Sequence, residues 1–242
     1  RFFATGVTPV TLDSLTSGFN ITMNVSTDLE LNNAMGFTEE EVKALLSYFA
    51  GQKDAKLDFD KLMPDLRKWY NGYLFNENAE GRIYNPDMIL YFTSKFDQNH
   101  YKKYPKDIVD INIASDYSKI QRLFNIGNRS QNIQTIENIL QSGTVRAELT
   151  QQFNLEGDFD TDDFISLLFY MGYLTIVGED VVALKMACPN FVINSLFYDF
   201  FAALIRQDNL LKAQVPDIRE IVTKLAQQND LQPFIDLVED TL

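Results

Sequence analysis

The chain contains very few of the side chains that usually hold transition metals or act as activated nucleophiles. Cys188 is the only cysteine and His100 the only histidine among 242 residues. A disulfide within the chain is excluded, and so is a zinc site of thiolate and imidazole ligands, which takes several such residues. We interpret Cys188 as a small residue near a helix start and His100 as a surface residue in a polar loop.

Long apolar runs and basic residues are also scarce. No segment approaches the roughly 18 consecutive apolar residues of a membrane-spanning helix, and no charged-then-apolar signal segment opens the sequence. Lysine and arginine number 21 against 34 acidic residues, which gives a formal net charge of -13. Such a charge repels phosphate backbones. We therefore expect a cytoplasmic protein that has no membrane contact and does not bind nucleic acid through its general surface.

Two patterns of nucleotide-hydrolysing sites are missing. A phosphate loop, Gly-x-x-x-x-Gly-Lys-[Ser/Thr], cradles phosphate with consecutive backbone N–H groups, and no glycine in this chain is followed by lysine. A hydrophobic strand that ends in paired acids and holds magnesium is missing too. Taken alone, the chain is expected to have no catalytic residue and no metal site, and not to hydrolyse ATP.

What the sequence does contain is enough apolar material for a large core, since 45% of its residues are hydrophobic and 13% aromatic. The first half is predicted to be helical. Thr38 and Glu41 match a Thr-x-x-Glu capping box, Asn71-Gly72 is a helix stop, and Asn85-Pro86-Asp87 matches a helix start. The three apolar stripes are Val42, Leu45, Leu46 and Phe49; Leu62, Leu66, Trp69 and Tyr70; and Ile89, Leu90, Phe92 and Phe96.

The second half has the order helix, hairpin, helix, which is typical of a winged helix. Residues 161–163 cap the first helix and Gly172 ends it, and two strands follow at 173–177 and 181–186. A helix that is apolar almost all round opens near Pro189-Asn190, as expected of a deeply buried or interface helix. Taken together, the elements predict a mainly α fold with a small β-hairpin.

Acidic residues dominate the region around this predicted winged helix. Only Arg146 and Lys185 oppose them nearby, so a packing role is favoured over DNA binding. The acids alternate as in calcium sites, but they lack the spacing, internal glycine and terminal glutamate of a calcium loop. We interpret them as the solvated N-terminus of a helix. These acids are Glu156, Asp158, Asp160, Asp162 and Asp163.

The most specific pattern is an aromatic, glycine and proline motif in residues 69–75 and 84–86. With it, the chain resembles the AAA-ATPase-like family of bacterial, Bacteroidetes-type proteins, whose full-length members carry an N-terminal ATPase and frequently a C-terminal PD-(D/E)xK nuclease-like domain. Residues 111–116 depart from the family pattern, which has a tryptophan and a Thr-Ser-Gly-like element there. The matching segments are residues 2–10, 15–21, 36–42, 69–73, 84–86, 167–175 and 189–190.

The resemblance implies that this chain is the middle of a longer protein. The phosphate loop and the magnesium-binding strand would precede Arg1, and the nuclease-like domain would follow Leu242. ATP and Mg would then bind only in the full-length protein, whose ATPase core and nuclease-like domain would be the partners of this chain. The implied organisation is the end of the ATPase core in 1–35, a helical lid in 36–128, a winged-helix-like domain in 129–206 and C-terminal helices in 207–242.

Particular residues acquire roles by the same resemblance. Thr5 and Thr8 would be nucleotide-sensing hydroxyls at the end of a remnant core strand. The alternative is that both are ordinary strand-end and turn residues. The lid motif comprises Trp69, Tyr70, Gly72, Tyr73, Asn85 and Pro86. It would either face the base or phosphates of a nucleotide or form a rigid turn that packs the lid. A module that binds protein or nucleic acid through its winged helix is the alternative function.

Overall fold

The computed structural model describes residues 24–108, 120, 122–151, 153, 159–179 and 182–207. Among these residues the fold is mostly helical with one small antiparallel sheet, which confirms the mainly α class. In chain order the elements are a 3₁₀ helix Leu29–Leu31, α1 Glu39–Gly51, α2 Phe59–Tyr70, α3 Pro86–Gln98, α4 Arg129–Ser142, β1 Val145–Ala147, α5 Thr161–Tyr170, β2 Thr175–Glu179, β3 Leu184–Ala187 and α6 Phe191–Gln207.

The chain divides within α6 into two compact units, Arg1–Phe197 and Tyr198–Leu242. The contacts described below lie within the first unit. Its core combines aliphatic and aromatic side chains from α1, α2, α3, α5 and the sheet. Burial of these side chains supplies the main favourable contribution to folding.

The predicted capping box begins α1. Thr38 Oγ1 accepts a hydrogen bond from the Glu41 amide at 3.3 Å, and the Glu41 carboxylate accepts one from the Thr38 amide at 2.8 Å. The buried face of this helix is formed by Val42, Leu46 and Ala50. Phe49 is 40% exposed, so its predicted place in the apolar stripe was wrong. The face toward the core follows an i, i+4, i+8 row that passes through Ala50 instead.

Helices α2 and α3 also follow their predicted signals. Helix α2 ends at Tyr70, directly before Asn71-Gly72, and contains Pro64 in its interior. Helix α3 begins with Asn85 as its N-cap, whose side chain accepts from the Met88 amide, and with Pro86 in the first position. Leu90, predicted to be buried, is 48% exposed because it lies opposite the face that buries Phe92.

The sheet has three antiparallel strands in the order β1-β3-β2. The first of them was not predicted, because three residues are too few to show an alternating pattern. The predicted hairpin is present, but its first strand begins at Thr175. The two residues before it belong to the turn that follows α5, since the amides of Tyr173 and Leu174 both donate to the Leu168 carbonyl. Gly172, with φ +77, makes that reversal of the chain.

A line of hydrogen bonds links the helical part to this sheet. Phe37 bridges to Tyr84, and Ile83 bridges to Tyr73. The next residue, Leu74, accepts from the amide of Ile176 in β2 at 3.3 Å. The segments of the first half and the three-stranded sheet therefore share one hydrogen-bonded network, although no regular strand appears among the described residues before β1.

An ion pair between α1 and α2 gives a pH-dependent contribution to stability. Arg67 Nη2 donates to Glu39 Oε1 at 2.6 Å, and Lys43 lies 3.0 Å from the same carboxylate. Hydrogen bonding to Arg67, assisted by Lys43, lowers the pKa of Glu39 to about 2 from 4.5. Because the folded pKa is depressed, this contribution is complete above about pH 4.5 and is lost as the pH falls through about 2.

We expect Arg67→Met to raise the pKa of Glu39 toward 4.5 and to lower stability at neutral pH by up to about 1 kcal/mol, because Arg67 is half-exposed. Carboxylate titration by NMR and urea denaturation measure the two effects. Lys61→Met is the matched control, since the ion pair of Lys61 with Asp58, at 3.6 Å, lies on the surface and does not involve Glu39. An unchanged pKa of Glu39 in Arg67→Met would contradict this assignment.

Candidate functional site

Four segments that the sequence singled out meet at one junction. Residues 69–74 end α2 and turn toward β2, and the Asn85 amide at the start of α3 donates to the Tyr70 carbonyl at 3.1 Å. The loop before α6 contributes Pro189, whose carbonyl approaches Gly72. The junction therefore assembles parts of the chain that are separated by more than a hundred positions, as Leu74 and Thr175 are 101 apart.

Gly72 is required at the junction for two independent reasons. Its φ of +116° lies in the region that side-chain-bearing residues rarely adopt. A Cβ placed on its backbone would lie 1.9 Å from the Pro189 carbonyl oxygen. Glycine thus allows the end of α2 and the start of α6 to approach each other backbone to backbone.

Thr175, the first residue of β2, connects the same turn to the sheet by hydrogen bonds. Its Oγ1 accepts from the Leu74 amide at 2.8 Å and donates to the Gly72 carbonyl at 3.0 Å. Thr175 is 2% exposed and Leu74 is 8% exposed. A buried amide without an acceptor costs about 1–3 kcal/mol. The Thr175 hydroxyl avoids this cost because it accepts the hydrogen bond of the Leu74 amide.

Arg82 lies on the exposed side of the junction and donates hydrogen bonds to two of its backbone carbonyls. Its Nη1 donates to the Gly72 carbonyl at 2.6 Å and its Nη2 to the Ile176 carbonyl at 3.1 Å. Partial burial lowers the pKa of this guanidinium from its ordinary value. Sequence reasoning missed Arg82, because an arginine between a turn and a short extended segment carries no local sign of a distant carbonyl partner.

The aromatic members of the motif pack against one another in the core. Tyr70 is fully buried, and its hydroxyl donates to the Ile108 carbonyl at 2.5 Å. Burial raises its pKa above the ordinary range. Trp69 makes edge contacts with Tyr70 and Tyr104 at centroid distances of 6.0 and 5.5 Å. Both rings also contact Phe92 of α3, at centroid distances of 6.3 and 6.0 Å, so these two motif residues pack α2 against α3.

Other motif residues line a cleft of about 110 Å³. Tyr73 forms one wall, and the first turn of α3 forms a second with Asn85, Asp87 and Met88. The turn after α5 and the apolar face of α6 complete it. The remaining lining residues are Met171, Gly172, Tyr173, Ile193 and Leu196.

Two carboxamides lie near the hydroxyl of Tyr73, one of the residues that line the cleft. Burial raises the pKa of Tyr73 to about 12, while the nearby carboxamides of Asn190 and Asn85 oppose that shift. Asn190 is the first residue before α6, and its Oδ1 accepts from the Ile193 amide at 3.2 Å. Its Nδ2 is buried and has no hydrogen-bond partner within the described part of the chain. The hydroxyl is therefore protonated at neutral pH and has an unsatisfied donor beside it.

The other residues named from the sequence lie elsewhere. Thr5 and Thr8 are outside the described residues. His100 is exposed just after α3, as predicted, with an unpredicted φ of +53°. Cys188 precedes α6, also as predicted, and burial raises the pKa of its thiol to about 12. A protonated thiol is a poor nucleophile at neutral pH.

The acidic residues around α5 have structural partners where they are described. Asp160 is the N-cap and forms a capping box with Asp163, so the predicted cap at residues 161–163 begins one residue too late. Asp162 accepts from the Glu148 amide at 3.2 Å. Glu156 and Asp158 lie outside the described residues. Within the described ranges, no group of three potential metal ligands occurs.

Arg146 and Lys185 are brought directly opposite each other. They form a cross-strand pair in the register of β1 and β3. Side chains opposite each other on antiparallel strands project from the same face of a sheet. Arg146 and Lys185 therefore form one small positively charged pair on the sheet.

Comparison of the chain with protein-family models, curated proteins and solved structures found no match in any of the three. Among the helices of the described residues, none has the length and apolar character needed to cross a membrane. The candidate site is therefore interpreted from its own geometry.

Proposed function

We propose that this chain is the lid and winged-helix portion of an AAA-ATPase-like protein, with a role in nucleotide sensing and inter-domain contact. The observation that supports this role is the junction, because it joins the predicted lid at 36–128 to the predicted winged-helix part at 129–206. Leu74, Thr175 and Arg82 connect the two parts by hydrogen bonds. Such a connection lets a displacement of one part move the other.

The proposed role does not include complete chemistry. The sequence contains no phosphate loop, and Asp87 places a carboxylate beside the first turn of α3, where a phosphate would otherwise find free amides. The main role proposed for the lid motif is to couple the movements of the two parts of the chain, and contact with a nucleotide is secondary. ATP, Mg and the sensing role of Thr5 and Thr8 belong to the full-length protein, together with its ATPase core and its nuclease-like domain.

We expect the purified 242-residue chain to show no ATP hydrolysis, since nothing in its sequence can cradle the phosphates. Phosphate release in the presence of Mg·ATP measures this. A preparation of the Thr5→Ala, Thr8→Ala double variant controls for contaminating ATPases. Hydrolysis at a rate comparable with that of the full-length protein, and lost in the double variant, would contradict the proposal.

The full-length protein provides the positive test. Trp69 is the only tryptophan in this chain and packs at the end of α2, so its fluorescence can be followed if other tryptophans are replaced. We expect Mg·ATP to change the emission of Trp69, and Thr175→Val to reduce that change. A gene with no Gly-x-x-x-x-Gly-Lys-[Ser/Thr] sequence upstream of Arg1 would exclude the proposal.

A module that binds a partner through its winged helix is the second candidate function. The observation in its favour is the Arg146 and Lys185 pair on the sheet. If this pair contacts DNA, a gel shift at low salt is abolished by Arg146→Glu or Lys185→Glu and weakens as salt rises. Absence of a shift at low salt removes the nucleic-acid version of this function.

A further inference from the structure

One peptide bond at the junction brings an amide nitrogen against the side chain that precedes it. Asn71-Gly72 is the only Asn-Gly pair in the sequence. The Gly72 nitrogen lies 2.6 Å from Oδ1 of Asn71. The carbon Cγ of that carboxamide is one covalent bond from Oδ1, so the nitrogen and the carbon are held close to the separation at which they react. This contact is the geometry from which an asparagine side chain loses ammonia.

The local backbone leaves the Gly72 nitrogen available for this reaction. Asn71 is the C-cap of α2, and its ψ of -179° is extended, whereas a helical ψ of about -42° would turn the next amide along the helix axis. Within the described residues, the Gly72 amide donates to no group other than the Asn71 side chain. Glycine also has no side chain to hinder the approach. Because Asn71 is half-buried, water can reach the product of the first step.

We propose that Asn71 is a site of spontaneous deamidation and that its conversion releases the junction. The Gly72 nitrogen attacks Cγ of Asn71. The N–Cγ bond forms, the Cγ–Nδ2 bond breaks, and the amide proton of Gly72 leaves with Nδ2 as ammonia. Water, the only co-reactant, then opens the succinimide ring at either carbonyl, and neither step is a redox reaction. Opening at Cγ gives aspartate, and opening at the main-chain carbonyl gives isoaspartate.

Isoaspartate changes the junction because it adds one carbon to the main chain directly before Gly72. The space there is already filled, since a Cβ on Gly72 would lie 1.9 Å from the Pro189 carbonyl oxygen. The Gly72 carbonyl also has fixed partners in Thr175 Oγ1 at 3.0 Å and Arg82 Nη1 at 2.6 Å. A lengthened backbone in a packed site forces these contacts apart. The reaction therefore releases the junction irreversibly, whether or not the ATPase role proposed above is correct.

Peptide mapping by mass spectrometry tests the reaction on the purified, folded chain kept at neutral pH. Asn78 and Asn194 are internal controls. Asn78 is exposed and precedes an alanine, but the Ala79 amide already donates to the Asn76 carbonyl at 3.1 Å. Asn194 precedes a serine within α6. We expect deamidation at Asn71 to be at least about 10-fold faster than at either control.

A second comparison separates the folded geometry from the effect of the sequence. The same chain unfolded in guanidinium contains Asn71-Gly72 but does not hold the two groups in contact. We expect the rate in the folded chain to stay within about 10-fold of the unfolded rate, because the reacting atoms are already close. Asn71→Gln controls for the assignment, since its longer side chain would have to close a larger ring. This variant should gain no acid at position 71.

Hydrogen exchange on the converted chain tests whether the junction is released. Chromatography separates the aspartate and isoaspartate forms. The isoaspartate form is expected to exchange the Leu74 amide, which donates to Thr175 Oγ1, at least about 10-fold faster than the unconverted chain. Asn71→Asp adds the same charge without the additional backbone carbon, so it should keep the protection of Leu74.

Three results would overturn the proposal. They are an Asn71 that stays intact in the folded chain while the unfolded chain is converted, a rate at Asn71 no faster than at Asn78 and Asn194, and an isoaspartate form whose Leu74 amide exchanges as slowly as before. The first result would show that the junction protects the pair. All three measurements use the unaltered sequence, so none depends on the folding of a variant.

Discussion

Replacing Gly72 with alanine is expected to lower the free energy of unfolding by about 3–5 kcal/mol. A side chain at φ +116° adds backbone strain of about 1–3 kcal/mol. The new Cβ would also lie 1.9 Å from the Pro189 carbonyl oxygen, and relief of that clash by backbone shifts costs a further 1–3 kcal/mol or so. Because small domains have only about 5–15 kcal/mol in total, the variant is expected to be marginally folded.

Two other glycines provide matched controls for this experiment. Gly143 has φ +77° but open space around it, so Gly143→Ala tests backbone strain alone and should cost about 1–2 kcal/mol. Gly51, the last residue of α1, also has open space and no positive φ. Gly51→Ala should therefore be neutral or stabilising by up to about 1 kcal/mol. Urea denaturation measures all three, and equal losses at Gly72 and Gly143 would show that the contact with Pro189 is unimportant.

Thr175→Val is expected to cost about 2–3 kcal/mol although the shape of the side chain is nearly unchanged. The variant removes the acceptor of the Leu74 amide, 2.8 Å away, in a position where both residues are buried. The unsatisfied amide accounts for most of the loss. The Gly72 carbonyl keeps the hydrogen bond from Arg82, so this acceptor is not orphaned.

Thr93→Val is the control for the loss of a buried threonine hydroxyl. Thr93 is equally buried, but its hydroxyl donates only to the Ile89 carbonyl within α3, at 2.7 Å. Such a bond back along a helix contributes little, so we expect a change within about 0.5 kcal/mol. Amide hydrogen exchange at Leu74 adds a local readout. An unaltered exchange rate there in Thr175→Val would show that the hydroxyl does not hold the junction.

The two variants also test whether the junction couples the two parts of the chain. If it does, Gly72→Ala and Thr175→Val will increase hydrogen exchange both at the start of α3 and in β2. Residues that share one network show non-additive effects on stability. The double variant should therefore lose less than the sum of the single losses. If the losses of stability are additive, Gly72 and Thr175 make two independent local contacts and do not form one coupled junction.

The sequence by itself determined most of the local structure. A capping box joins residues three positions apart, and an N-cap followed by proline and an acid does the same, so the starts of α1 and α3 could be predicted. The hairpin and the helices on either side of it followed from periodicity and from Gly172. The same patterns did not show that Phe49 and Leu90 face solvent, because periodicity gives the spacing of a stripe while the neighbouring elements decide how wide the buried face is.

Only the tertiary structure decided where the motif segments meet and what the cleft contains. The Gly72 approach to Pro189, the Thr175 hydroxyl on the Leu74 amide and the Arg82 contacts all join distant positions. Such contacts depend on the path of the whole chain. They produce no periodic pattern and no capping sequence near the residues involved, so local sequence signals cannot predict them. Among the residues singled out from the sequence, Gly72 permits a backbone contact with Pro189, and Tyr73 and Asn85 line the cleft.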